Sequence, residues 1–137
     1  MGSTNYTGTF IRVAEDCPTA AAEQPPVSDK APTVAALQFA LIAEHPYQFT
    51  SDDVLFEVFA TRKAIPAEER AEARQAFFAK DQPCLRSSPL GKRYGWGIHH
   101  DDESRVALVP FGSDEYQTLA GDPTVKQLKA MRSKRAQ

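Results

Sequence analysis

Residues 92–111 read KRYGWGIHHDDESRVALVPF, and this stretch decides the fold class that the sequence predicts. Aromatic and β-branched residues stand on both sides of a polar run, Asp101–Ser104. Such a pattern is typical of two strands joined by a turn. It therefore predicts a β-hairpin from about Tyr94 to Phe111, with Lys92–His99 as the stretch of the first strand. Residues 84–91 before it are expected to form a loop.

The chain upstream of the hairpin has helical character. Helices are predicted over residues 34–43, 54–60 and 67–80, and Thr33 is expected to cap the first of them. The 54–60 run also has the β-branched and aromatic content of a strand, but the preceding Thr50 and two acids resemble a capped helix start. We interpret it as a helix, and the middle of the chain as helical.

The two ends of the chain add shorter elements. A strand is expected within residues 7–13, and residues 18–32 form a loop rich in proline and alanine. Ser113 caps a helix that ends near Gly121, and Asp122 is expected to cap a last helix that reaches about Arg135. The prediction is one α+β domain over residues 1–137, with C-terminal helices beside the hairpin.

Composition narrows the functional classes. The 137 residues are 42% hydrophobic and 25% charged, which argues against a disordered or fibrous chain. A net charge of −2 disfavours general binding to nucleic acid. The charge is uneven, however, because residues 1–83 carry −5 and residues 84–137 carry +3. Such asymmetry arises either from a basic face that binds anions or from complementarity between the two halves.

The segment 86–99 concentrates groups that recognise anions. Guanidinium, ammonium and hydroxyl groups stand there beside glycines and aromatic rings, a mixture that suits a phosphate or carboxylate. The predicted ligand-binding residues are Arg86, Ser87, Ser88, Lys92, Arg93, Tyr94 and Trp96. The leading prediction is therefore a small anion-binding module. The alternative is structural: the glycines at 95 and 97 can accept a packed helix, and the aromatic rings can belong to the core.

Two other functional classes stay open. A small enzyme could use Cys84 as a nucleophile with His99 or His100 as its base, if the fold brings them together. A protein-interaction domain could instead use the acidic and basic halves for association.

The cysteines and the N-terminus bear on compartment and cofactors. Cys17 and Cys84 belong to no metal-binding pattern, and the acids after His100 resemble a solvated turn, so neither a metal nor a cofactor is expected. The sequence lacks the features of a signal peptide and any apolar run of membrane-spanning length. We expect a cytoplasmic protein with reduced thiols and no membrane partner; the oligomeric state stays open.

Several blocks of the sequence resemble a family of small microbial proteins of unknown function. These blocks are Asn5–Ile11, Glu15–Pro18, Tyr47 with Thr50–Val54, Cys84–Leu90, Lys92–His99 and Lys129–Arg135. The resemblance covers nearly the whole chain and implies one complete cytoplasmic domain. The family has no assigned activity, so it implies no catalytic residues.

Overall fold

The computed structural model describes residues 3–27 and 32–133 and combines five α-helices with a four-stranded sheet in that part of the chain. The helices are α1 Val34–Glu44, α2 Ser51–Arg62, α3 Arg70–Ala79, α4 Pro89–Lys92 and α5 Asp114–Ala120. The strands are β1 Thr9–Arg12, β2 Trp96–His100, β3 Val106–Pro110 and β4 Lys126–Lys129. The α+β fold class is confirmed.

The sheet is mixed and has the order β3-β2-β1-β4. The predicted hairpin is present as the antiparallel pair of β2 and β3, and β1 joins the other side of β2. The turn forms because the Asp101 carboxylate accepts the backbone N–H groups of Glu103 and Arg105, each at 2.9 Å. The strand β4 then pairs with β1 in parallel.

Each face of the sheet is covered by helices. On one face, Ile11 and Ile98 pack with Ile42 of α1, Val54 of α2 and Leu90 of α4. On the other face, a smaller cluster surrounds Tyr116 of α5, and its members are Phe10, Val13 and Val109. Since neighbouring strand residues point to opposite faces, β1 and β3 contribute to both clusters.

The helical middle agrees with the prediction. Thr33 caps α1 by accepting the N–H of Ala36. In α2, Thr50 and Asp53 form a reciprocal capping box, which settles residues 54–60 as helix. Residues 18–27 contain no helix or strand, as expected, whereas residues 28–31 lie outside the described range.

The predicted last helix is wrong. Residues 126–129 form β4, and Asp122, instead of capping a helix, accepts the N–H and hydroxyl of Thr124. The apolar spacing at Val125 and Leu128 has another cause: Val125 packs in the α5 cluster and Leu128 on the opposite face. Pairing with β1 thus overrides a helix-compatible pattern. Residues 134–135 of the predicted helix lie outside the described range.

The segment between α3 and β2 also differs from the expectation. Residues 84–91 were expected to form a loop, but they contain a 3-10 turn, Leu85–Ser87, followed by α4. The first hairpin strand begins at Trp96 rather than at Lys92, because α4 includes Lys92.

Candidate functional site

A groove lies between the start of α1 and the segment 87–94, and its volume is about 480 Å³. We call it the basic groove. Its walls include Ser87, Lys92, Arg93 and Tyr94 on one side and Thr33, Val34 and Ala35 on the other. The structure therefore brings together four of the seven residues predicted to bind an anion.

Local structure explains how the two cations reach the groove. The Ser88 hydroxyl accepts the N–H of Leu90, and Pro89 occupies the first helical position, so the chain forms the single turn of α4. Lys92 ends that turn and Arg93 follows it. Within the described chain, neither cation makes an ion pair, and no acidic side chain lines the groove.

Ser88 and Trp96, two more of the predicted ligand residues, form contacts within the protein. Ser88 is buried, and its hydroxyl donates to Gln38 Oε1 at 2.5 Å. The Trp96 indole donates to the Glu23 carbonyl at 2.8 Å, and its ring packs against Phe39. These two side chains link β2 and α4 to neighbouring segments.

Arg86, the last of the predicted ligand residues, forms hydrogen bonds with the backbone at the edge of the sheet. Its Nε donates to the Lys129 carbonyl at 2.8 Å, while its own carbonyl accepts the N–H of Met131 at 2.8 Å. Because β4 is an edge strand, these bonds occupy backbone groups that an edge otherwise leaves unpaired.

Other parts of the protein pack against Gly95 and Gly97. A Cβ on Gly97 would lie 2.7 Å from the Phe10 ring and 2.9 Å from the Tyr116 ring. Gly95 has φ +78°, and the backbone of Ala21 approaches it closely. The two glycines therefore make room for packed protein groups and not for a ligand, in line with the packing alternative given for this segment.

Cys84 lies beside Tyr6, and in the described part of the chain its Sγ makes no hydrogen bond to a histidine nitrogen. The Tyr6 hydroxyl and Cys84 Sγ are 3.2 Å apart, and the Tyr6 ring meets the His100 ring edge-on with centroids 5.4 Å apart. Burial and the contact with Cys84 raise the pKa of Tyr6 to about 12, so the phenol stays protonated at neutral pH. His100 is fully buried, and neither ring nitrogen has a hydrogen-bond partner in the described structure.

His99 points to the opposite face of the sheet from His100, since the two are neighbours on β2. Its Nδ1 lies 2.9 Å from the Tyr47 hydroxyl. Burial lowers the pKa of His99, although the nearby carboxylates Asp101 and Glu115 act to raise it. Within the described residues, no hydrogen bond joins Cys84 to His99 or His100, and Tyr6 lies between Cys84 and the His100 ring. A nucleophile and base built from these residues stays a prediction.

The sequence did not predict that the start of α1 forms one side of the basic groove. Thr33 was identified as a helix cap, but nothing local connects it to residues 60 positions later. The available signal is that the first turn of α1 carries no acidic residue, which leaves its positive end uncompensated.

Within the described residues, no helix is long and apolar enough to cross a membrane. The same residues contain no group of three or more side chains able to hold a metal ion.

Comparison with known proteins gives one assignment. Residues 1–136 match a family of unknown function, DUF6157. Searches of curated proteins and of solved structures found no match. The family resemblance noted in the sequence is thus confirmed, and the chain belongs to DUF6157.

Proposed function

We propose that the protein binds a small phosphate- or carboxylate-bearing molecule in the basic groove. The observation that carries the proposal is the convergence of Lys92, Arg93 and Ser87 on a concave surface whose described lining includes no acidic side chain. The volume of about 480 Å³ is in the range usual for small-molecule sites.

The charge balance of the groove favours an anion. Lys92 is half-buried and Arg93 is exposed, and within the described chain neither cation is neutralised by an ion pair. Two unpaired cations on a concave surface attract a counter-ion, and an arginine can hold two oxygens of one phosphate or carboxylate.

The groove also supplies neutral donors. The N–H groups of Val34 and Ala35 belong to the first turn of α1, where no helical carbonyl can accept them. The Ser87 hydroxyl donates to Met131 Sδ at 3.0 Å. Because a thioether is a weak acceptor, a ligand oxygen can replace it at little cost. Tyr94 adds an aromatic wall.

An NMR titration tests the proposal. Inorganic phosphate, pyrophosphate and a nucleoside monophosphate are added separately, and we expect amide shifts at residues 33–35, 87 and 92–94. The double variant Lys92→Gln/Arg93→Gln should bind at least tenfold more weakly, since each charge-assisted hydrogen bond contributes roughly 1.5–3 kcal/mol.

The matched control removes two charges outside the groove. Lys80→Gln/Lys126→Gln changes the net charge equally at exposed positions that do not line it. Equal weakening by both double variants, or shifts confined to another surface, would refute the proposed site. We place this binding activity in the cytoplasm, where the free thiols of Cys17 and Cys84 would remain reduced.

A further inference from the structure

A second groove, with a volume of about 440 Å³, lies between α1, α2 and α3. We call it the apolar groove. Its lining includes Val34, Leu55, Val58, Phe59 and Phe77. The rings of Phe59 and Phe77 lie 4.7 Å apart between centroids. This groove shares none of the cations that line the basic groove.

The two grooves adjoin the same segment, the start of α1. Val34 lines both of them, Pro32 lines the apolar groove and Thr33 lines the basic groove. Gln38, one turn after Val34, also lines the apolar groove. Ala35, the residue next to Val34, lines the basic groove. The first turn of α1 is therefore a wall common to the apolar groove and the basic groove.

We propose that the two grooves form one site for an amphipathic anion: its phosphate or carboxylate lies on Lys92 and Arg93, and its hydrocarbon chain passes Val34 into the apolar groove. This inference rests on the proposed function and specifies its ligand class. In this orientation the chain end meets aromatic and aliphatic side chains, and the head meets Lys92 and Arg93, which make no ion pair within the described residues.

A second pair of cations provides an internal check on that orientation. Arg62 and Lys63 line the apolar groove at the end of α2 and are exposed. A ligand held by these two residues would need no part of the basic groove. Exchange of each cation pair for glutamine therefore distinguishes the two ways in which an amphipathic anion could lie.

The probes are inorganic phosphate, octyl phosphate below its micelle concentration, and 1-octanol, each titrated into the full chain by calorimetry and NMR. Octyl phosphate should bind at least tenfold more tightly than inorganic phosphate, because each buried methylene contributes about 0.8 kcal/mol, or about fourfold. Lys92→Gln/Arg93→Gln should weaken octyl phosphate at least tenfold, and Arg62→Gln/Lys63→Gln should change it less than threefold.

A blocking variant tests the chain path. Thr61 is exposed and lines the apolar groove, so Thr61→Trp should place an indole there. This variant should abolish the gain of octyl phosphate over phosphate while leaving phosphate binding intact. Ala76→Trp adds the same side chain at an exposed position of α3 that lines neither groove and should keep the gain. Thermal melts establish that both variants fold.

The outcomes separate this inference from the proposed function. Binding of phosphate without any gain for octyl phosphate overturns the amphipathic ligand and leaves the anion site standing. A larger effect of the Arg62/Lys63 exchange than of the Lys92/Arg93 exchange overturns the joint site. Absence of binding by all three probes refutes both proposals.

Discussion

His100 should make the stability of this protein depend on pH below neutrality. The ring is fully buried, and burial lowers its pKa to about 4 from an ordinary value of 6.5. The neighbouring His99 contributes to this lowering of the pKa, whereas Asp101 acts in the opposite direction. No described group accepts a hydrogen bond from either ring nitrogen, so the folded state favours the neutral ring.

The direction follows from proton binding in the two states. Between pH 6.5 and about pH 4, the unfolded chain protonates this histidine and the folded chain does not. The stability is therefore present above pH 6.5 and is lost as the pH falls toward 4. With these two pKa values, linkage gives a loss of roughly 2 kcal/mol between pH 7 and pH 5 and roughly 3 kcal/mol by pH 4.

Carboxylates also titrate in this range, so the assay compares variants. Urea unfolding of the native chain, His100→Leu and His100→Gln is measured at several pH values from 7 to 4. Neither replacement titrates, and the free energy of unfolding of the native chain should fall relative to both by roughly 2 kcal/mol from pH 7 to pH 5. A difference that stays constant across this range would refute the buried neutral ring.

Three further substitutions test the packing by thermal or urea unfolding. Gly97→Ala should cost about 1–3 kcal/mol, because the added methyl meets the rings of Phe10 and Tyr116 at 2.7 and 2.9 Å; an unchanged melting temperature would contradict this contact. Tyr116→Phe should cost about 1–3 kcal/mol, since the buried N–H of Val13 loses its acceptor at 2.9 Å, and the reasoning fails if the variant is as stable as the parent. Thr50→Ala removes the cap of α2 and should cost about 1 kcal/mol, with Thr50→Ser as the variant that retains it.

The sequence predicts an element correctly where hydrogen bonds between nearby residues fix its start or its turn. The capping box at Thr50 and the cap at Thr33 mark the starts of two helices, and both caps are present. The polar run from Asp101 likewise forms the hairpin turn. In each case the decisive hydrogen bond joins residues only a few positions apart, so a single sequence contains it.

Only part of the candidate site could be predicted, because its walls come from segments that are far apart in the chain. The cluster 86–99 contained the cations of the basic groove, but its members diverge in the structure: Arg86 bonds to the backbone of β4 and Trp96 to the loop at Glu23. The wall supplied by Val34 comes from a helix more than 50 positions earlier in the chain. Neighbours in sequence do not determine which distant backbone a side chain will reach.

Periodicity, caps and charge, all readable from the sequence, are enough to predict the α+β class, the helical middle, the hairpin and the basic character of residues 84–137. The pairing of residues 126–129 with β1, the contact of His99 with Tyr47 and the contact of His100 with Tyr6 come from the tertiary structure alone. It also set Lys92 and Arg93 against the start of α1. The physical reason is that strand pairing and groove walls join residues far apart in the chain, and packing energy there outweighs local propensity.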